Sequence, residues 1–233
     1  MAVVLGLAAV VQTALGFGAT LVAVTLGAAA LSVGEVLALV IPISVVQTAV
    51  VASRHRADIR WDVLLRRVLP FMGLGLGVGV MAVGPGGAPW LRPLLGVLVI
   101  TLAARELLGG PARRVSRAAA NGALVGGGFV QGVLATGGPL VVWALARESL
   151  PPVQVRATLT TVWLVTDLVL AAVMLRDGRV NAATLQDSAV LLLPVLLGVA
   201  VGERVAQRLD PVRFRAVVWV VLAIAGLPLV FGR

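Results

Sequence analysis

The 233-residue chain contains no cysteine, no lysine, no tyrosine and a single histidine. Without cysteine there is no disulfide, no thiolate nucleophile and no sulfur-ligated metal. One histidine, His55, cannot provide a metal-ligand spacing or a Ser/His/Asp set. No catalytic residue, metal or cofactor is therefore expected, and the chain does not read as an enzyme. Charge is also scarce, at 12% of residues, and the net +9 comes wholly from arginine. A nucleic-acid partner would call for basic runs interleaved with aromatics on a soluble face. Here the arginines fall in short segments between apolar runs, where cations mark the cytoplasmic ends of membrane helices.

What fills the chain instead is apolar sequence: 60% hydrophobic residues and a mean hydropathy of +1.06. The apolar runs exceed the roughly 20 residues needed to cross a bilayer, and they recur along its length. The expected fold is an all-α polytopic protein, a single membrane domain over 1–233 set in the cell membrane, by expectation the inner membrane of a bacterium. The opening MAVVLGLAAVV has no basic n-region or cleavage pattern and reads as a membrane segment.

An internal repeat organises the chain. A shift of 119 residues carries Gln12 onto Gln131, Leu15 onto Leu134, Gly18 onto Gly137, Asp58 onto Asp177 and Arg60 onto Arg179. After a short insertion, Pro70, Gly73 and Gly77 match Pro194, Gly198 and Gly202, glycines expected to let helices pack closely. The halves are 1–113 and 114–233, linked by GGPARRVSR. Each begins with a broken apolar segment, 2–31 or about 116–149. Three spans follow: 33–53, 61–83 and 90–108, then 152–175, 185–206 and 212–231. The pieces 2–15 and 19–31 are each too short to span alone, which allows a re-entrant hairpin in place of a crossing. Hairpins would make the halves inverted repeats, and crossings would make them parallel. Inversion gathers more of the arginines on one side, as the positive-inside rule favours.

The breaks are where chemistry is expected. Non-helical backbone survives at membrane depth only when buried in protein or lining a cavity. In FVQGVLATGGPLVVW, Thr136-Gly137-Gly138-Pro139 interrupts an apolar run and a helix restarts. Pro139 suits a first helical position, leaving the amides of Leu140 and Val141 facing the break, and glycine leaves room for an approaching group. Gly16-Phe17-Gly18, followed by Ala19-Thr20, offers a weaker version. Two helix starts meeting near the midplane would form one small-anion site. Gln12 and Gln131, a turn upstream, would each offer an amide donor, or simply act as interhelical glue. Ser44, Gln47, Thr48 and Thr160 are possible lining donors, although membrane Ser and Thr commonly bond back to their own helix. Asp167, an acid at mid-span, is the expected proton-coupling group, with a bonded structural carboxylate as the alternative. Trp61, Trp90, Trp143 and Trp219 fall near span ends, where interfacial anchoring is expected. A passive channel and a non-transporting assembly factor remain alternatives to a transporter.

The stretch GGGFVQGVLATGGPLVVWALARESLPPVQVRATLTTVWLVTDLVL, with LLLPVLLGVAVGERVAQRLDPVRFRAVVWVVLAIAGLPLV after it, resembles the second half of the sulfite exporter TauE/SafE family. GFGATLVAVTLGAAALSVGEVLALVIPISVVQTAVVASRHRADIRW is similar to its first half more loosely, with Ala19 and Val24 where that family has further glycine and proline. The resemblance implies a transporter of small sulfur-containing or organic anions. With the repeat and breaks, the expected function is a secondary transporter of an anion such as sulfite, thiosulfate, a sulfonate or an organic acid, with export the expected direction.

Overall fold

The computed structural model describes residues 1–27, 31–82, 116–145 and 150–208, with Glu148 and scattered positions in 93–108 and 210–231. The expected spans 90–108 and 212–231, most of the link between halves, and Trp90 lie wholly or largely outside the described residues. All the regular elements described are helical. The broken segments become α1 (Ala2–Leu15) with α2 (Ala19–Gly27), and α5 (Arg117–Leu134) with α6 (Gly138–Leu145). Between and after them lie α3 (Val33–Arg54), α4 (Trp61–Ala82), α7 (Pro152–Arg176) and α8 (Ala182–Arg208), each long and apolar enough to cross a bilayer. The chain is a multi-pass, all-α membrane protein.

Local chemistry sets the boundaries. Ser32 and Glu35 form a reciprocal capping box that starts α3, each side chain bonding the other's backbone N–H. Ser116 caps α5 by accepting from Ala119 N–H at 3.1 Å. Within α4 the backbone widens to a π turn over Leu64–Val68.

The chain forms two compact units, and each draws on both halves of the sequence. Unit 1 joins Met1–Arg66 to Val153–Arg208; unit 2 joins Arg67–Pro152 to Leu209–Arg233. In unit 1, α1 packs chiefly on α8, and α3 packs on α8 as well. In unit 2, α5 packs chiefly on α4. On the expected division into 1–113 and 114–233, α1 and α5 each come first and α4 and α8 take matching places, so the partners are exchanged. The opening helix of one half lies against the glycine-bearing helix of the other.

Helices in lipid gain little from hydrophobic burial and associate through close backbone contact. In unit 1, Gly198 and Gly202 provide it: a Cβ on Gly198 would collide with Gly6 O, and one on Gly202 would sit 2.8 Å from Val10 O. In unit 2, Gly75 and Gly79 do the same against the Val125 and Phe129 carbonyls, while Gly128 meets Met72 O. The expected pair was Gly73 and Gly77, but a Cβ on either would touch nothing within 4 Å. The glycines at the seam stand two residues beyond the expected pair, a difference of register. Apolar identities align too cheaply to fix it.

Polar ties close each unit at its edges. Arg54 reaches Glu203 at 3.0 Å in unit 1. In unit 2, Arg67 bonds Asn121 Oδ1 at 2.9 Å and pairs with Glu148, joining α4, α5 and the segment after α6.

Candidate functional site

In unit 1, α1 stops at Gly16, whose φ of 86° is left-handed, a conformation glycine adopts without steric cost. Its N–H closes the helix on Gln12 O at 2.7 Å. The chain then turns back. A Cβ on Gly27, at the end of α2, would lie 2.9 Å from the Met1 side chain, and Leu5, Ala8, Ala19 and Ala23 line one cavity. Segment 2–27 is therefore a helical hairpin, with α2 lying back along α1.

Gln12 faces the break, as its position one turn upstream suggested. Its side-chain oxygen accepts the Ala19 N–H at 3.0 Å, capping the first residue of α2. A backbone N–H can only be met by the amide's oxygen, so that half is committed to the protein and the NH₂ half keeps the donors. Phe17 is buried beneath the turn, and Thr20 takes the second position of α2.

One face of α7 covers this break. Arg156, Thr160, Trp163 and Asp167 follow at i, i+4, i+7 and i+11, a single helical stripe. Trp163 Nε1 donates to Gly16 O at 2.6 Å, and a Cβ on Gly16 would lie 3.0 Å from Arg156 Cα. Thr160 sits between these two contacts with its hydroxyl fully buried and without a partner. Further along, Asp167 is buried and accepts from Ser44 Oγ at 2.6 Å, within the range of hydroxyl-to-carboxylate bonds. Ser44 and Gln47 also line the cavity beside α2, whose volume of about 10 Å³ suits a single water.

Unit 2 repeats the device with different residues. Here α5 ends at Ala135, φ 53°, the one non-glycine residue in a left-handed conformation among those described. Its N–H bonds Gln131 O at 2.9 Å, and the Gln131 side-chain oxygen accepts the Gly137 N–H at 3.0 Å. Thus α6 also folds back, with a Cβ on Gly127 meeting Val141 at 2.8 Å. Thr136, in the turn itself, is buried and its hydroxyl has no partner.

Several details differ from expectation at this break. Helix α6 begins at Gly138, so Pro139 is its second residue and Val141 N–H is already bonded to Gly137 O at 3.4 Å. The helix-start amides outside the intrahelical ladder are those of Gly138 and Leu140. Gly138 has no positive φ, and Gly137 is a packing glycine, since a Cβ there would collide with Gly127 O. Room at this turn therefore serves backbone contact at Gly137.

Of the possible lining donors, Thr48 bonds its own helix at Ser44 O, 2.6 Å away, and Gln47 Nε2 ties α3 to Ala9 O and Thr13 Oγ1, each at 3.3 Å. Trp61 is exposed at the start of α4, but Trp143 and Trp219 are buried and do not act as surface anchors. Sequence reasoning missed Arg156 and Trp163 as neighbours of the first break. The stripe spacing on α7 was the available signal. Outside the spans, Arg60 is raised above its ordinary pKa by hydrogen bonding to Asp62.

The model of the family described as Sulfite exporter TauE/SafE matches residues 1–229. A "Probable inner membrane transporter protein TsaS" of Comamonas testosteroni is 29% identical over 177 residues, covering 74% of this chain and 73% of that protein. A "Probable sulfite/organosulfonate exporter TauE" of Cupriavidus necator is 25% identical over 233 residues, covering 97% and 90% respectively. No solved structure matches the chain.

Proposed function

Because the chain belongs to the sulfite exporter TauE/SafE family, we propose that it exports a small sulfur-containing or organic anion, taken up near the membrane midplane at its helix breaks. The observation that carries this reading is a buried hydroxyl without a partner beside each break, Thr160 at the first and Thr136 at the second. Each accompanies helix-start amides whose dipole favours negative charge. A buried hydroxyl left unbonded costs about 1–3 kcal/mol, so its retention beside such amides favours a bound solute. Thr160 and Trp163 lie roughly 12 to 17 Å along a helix of roughly 37 Å, a depth consistent with a midplane site.

The relatives' names support sulfite or an organosulfonate as the solute. The returning hairpins are the geometry that inverted repeats require. The Ser44–Asp167 bond, reaching from the cavity beside α2 to the one acid within α7, supports proton coupling through Asp167.

Proteoliposomes loaded with sulfite, thiosulfate or ethanesulfonate test the reading. Export driven by an imposed proton gradient supports it. Flux insensitive to any gradient would identify a channel, and absence of both flux and binding for all three would identify a non-transporting protein. Either result overturns the proposal.

A further inference from the structure

Arg156 is the strongest chemistry that the reading above leaves unused. It lies one turn inside α7 and is only 8% exposed. It has no hydrogen-bond or ion-pair partner among the described residues. Two acids act on it through space, Asp58 and Glu203. Glu203 is bonded to Arg54 at 3.0 Å, and Asp58 faces His55 at 3.8 Å. A cation buried within a membrane span is costly, and such residues are retained where they meet an ion or substrate.

Its surroundings point to the kind of ion. The Cα and Cγ of Arg156 lie where a Cβ on Gly16 would be within 3.0 and 3.3 Å, so the side-chain stem rests on the first break. One turn on, the buried, unpartnered Thr160 hydroxyl occupies the same stripe. The Gly16 carbonyl, which would repel an anion, is taken up by Trp163 Nε1 at 2.6 Å. The Ala19 amide is capped by Gln12, which leaves the next amides of α2, at Thr20 and Leu21, as its helix-start donors.

We propose that Arg156 and Thr160 form the charge-recognising half of an anion subsite at the first break, selective for an oxyanion with two or more oxygens on one atom. A guanidinium offers two parallel N–H donors, which match such a group and exceed what an ammonium can present. Thr160 adds one hydroxyl donor. This assignment rests on the exporter reading and names the side chains that would recognise its substrate.

The test uses full-length protein in nanodiscs, titrated with sulfite, thiosulfate and ethanesulfonate, with neutral dimethyl sulfone as control. Arg156→Gln should weaken anion binding at least about tenfold, as loss of a bond to a charged group implies. Arg156→Lys should keep the charge and still lose roughly three- to tenfold, and Thr160→Val, nearly isosteric, should lose a similar factor. Dimethyl sulfone should bind none of them. Unliganded melting temperatures should stay within a few degrees of wild type. Should Arg156→Gln fail to fold, the Lys and Val variants decide alone. Wild-type affinity in folded Arg156→Gln, or in both of the other variants, overturns the assignment and makes Arg156 a headgroup contact. A wild-type protein that binds none of the anions overturns the exporter reading itself.

Discussion

Two glycines in one helix should respond oppositely to the same substitution. Gly73 and Gly75 both lie within α4, yet a Cβ on Gly73 meets nothing within 4 Å. On Gly75 it would overlap Val125 O and lie 2.8 Å from Phe129 N. The obstacle is helical backbone, which cannot rotate aside as a side chain could. Gly75→Ala must therefore push α5 away from α4, loosening Gly79, Gly128 and Gly132 along the same seam. Overpacking of this kind costs about 1–3 kcal/mol or more. Replacing a helical glycine with alanine returns about 0.5–1 kcal/mol, so Gly73→Ala should be neutral or slightly stabilising. The two variants should differ by roughly 2–4 kcal/mol, which for a chain of this size means about 4–16 °C in melting temperature. Thermal unfolding of detergent-purified protein, followed by size-exclusion fluorescence, measures this directly. A Gly75→Ala protein that melts at or above Gly73→Ala would refute the seam.

The left-handed helix ends give a second opposed pair: Gly16→Ala should destabilise by about 1–2 kcal/mol or more, whereas Ala135→Gly should be neutral or stabilising. The same melting assay checks both, and a stable Gly16→Ala protein would count against the first turn as described. Gln131→Leu removes the acceptor for Gly137 N–H and should cost about 1–3 kcal/mol, visible as faster amide exchange at the turn; unchanged exchange would show that the cap is dispensable. Asp167→Asn should blunt the pH dependence of transport more than it alters anion affinity, and a normal profile across external pH would make the carboxylate structural. In this cysteine-free chain, single cysteines at positions 57 and 178 should label from opposite sides if the repeats are inverted, and same-side labelling would sink inversion.

Much of the fold was legible because its determinants are local. Expected spans 33–53 and 152–175 lie within a residue of Val33–Arg54 and Pro152–Arg176, since Ser32, Gly178 and the surrounding charges punctuate the chain. The breaks and their upstream glutamines were also legible, being composition anomalies inside apolar runs. Which atom each glutamine uses was not. That depends on which backbone amide the turn presents, residue 19 in one copy and residue 137, one place earlier in register, in the other. The closeness of Arg156 and Trp163 to the first break was not legible, because Gly16 is 140 or more residues away in sequence. Gly75 was missed for a related reason: only the facing helix distinguishes it from Gly73.

The exchange of partners between halves also sets a timetable for biogenesis. Helices α4 and α5 are close in sequence and can pair soon after both leave the ribosome. Helix α1 emerges ahead of both, but its partner α8 does not begin until residue 182. At about 5–20 residues per second, α1 must wait on the order of ten to thirty seconds in the bilayer with its seam uncovered. During that interval its small-residue stripe is open to any passing helix of similar character. A nascent chain stalled before residue 182 should therefore crosslink from Gly6 or Ala9 to insertion chaperones, and the crosslinks should vanish once Gly198 and Gly202 have left the ribosome.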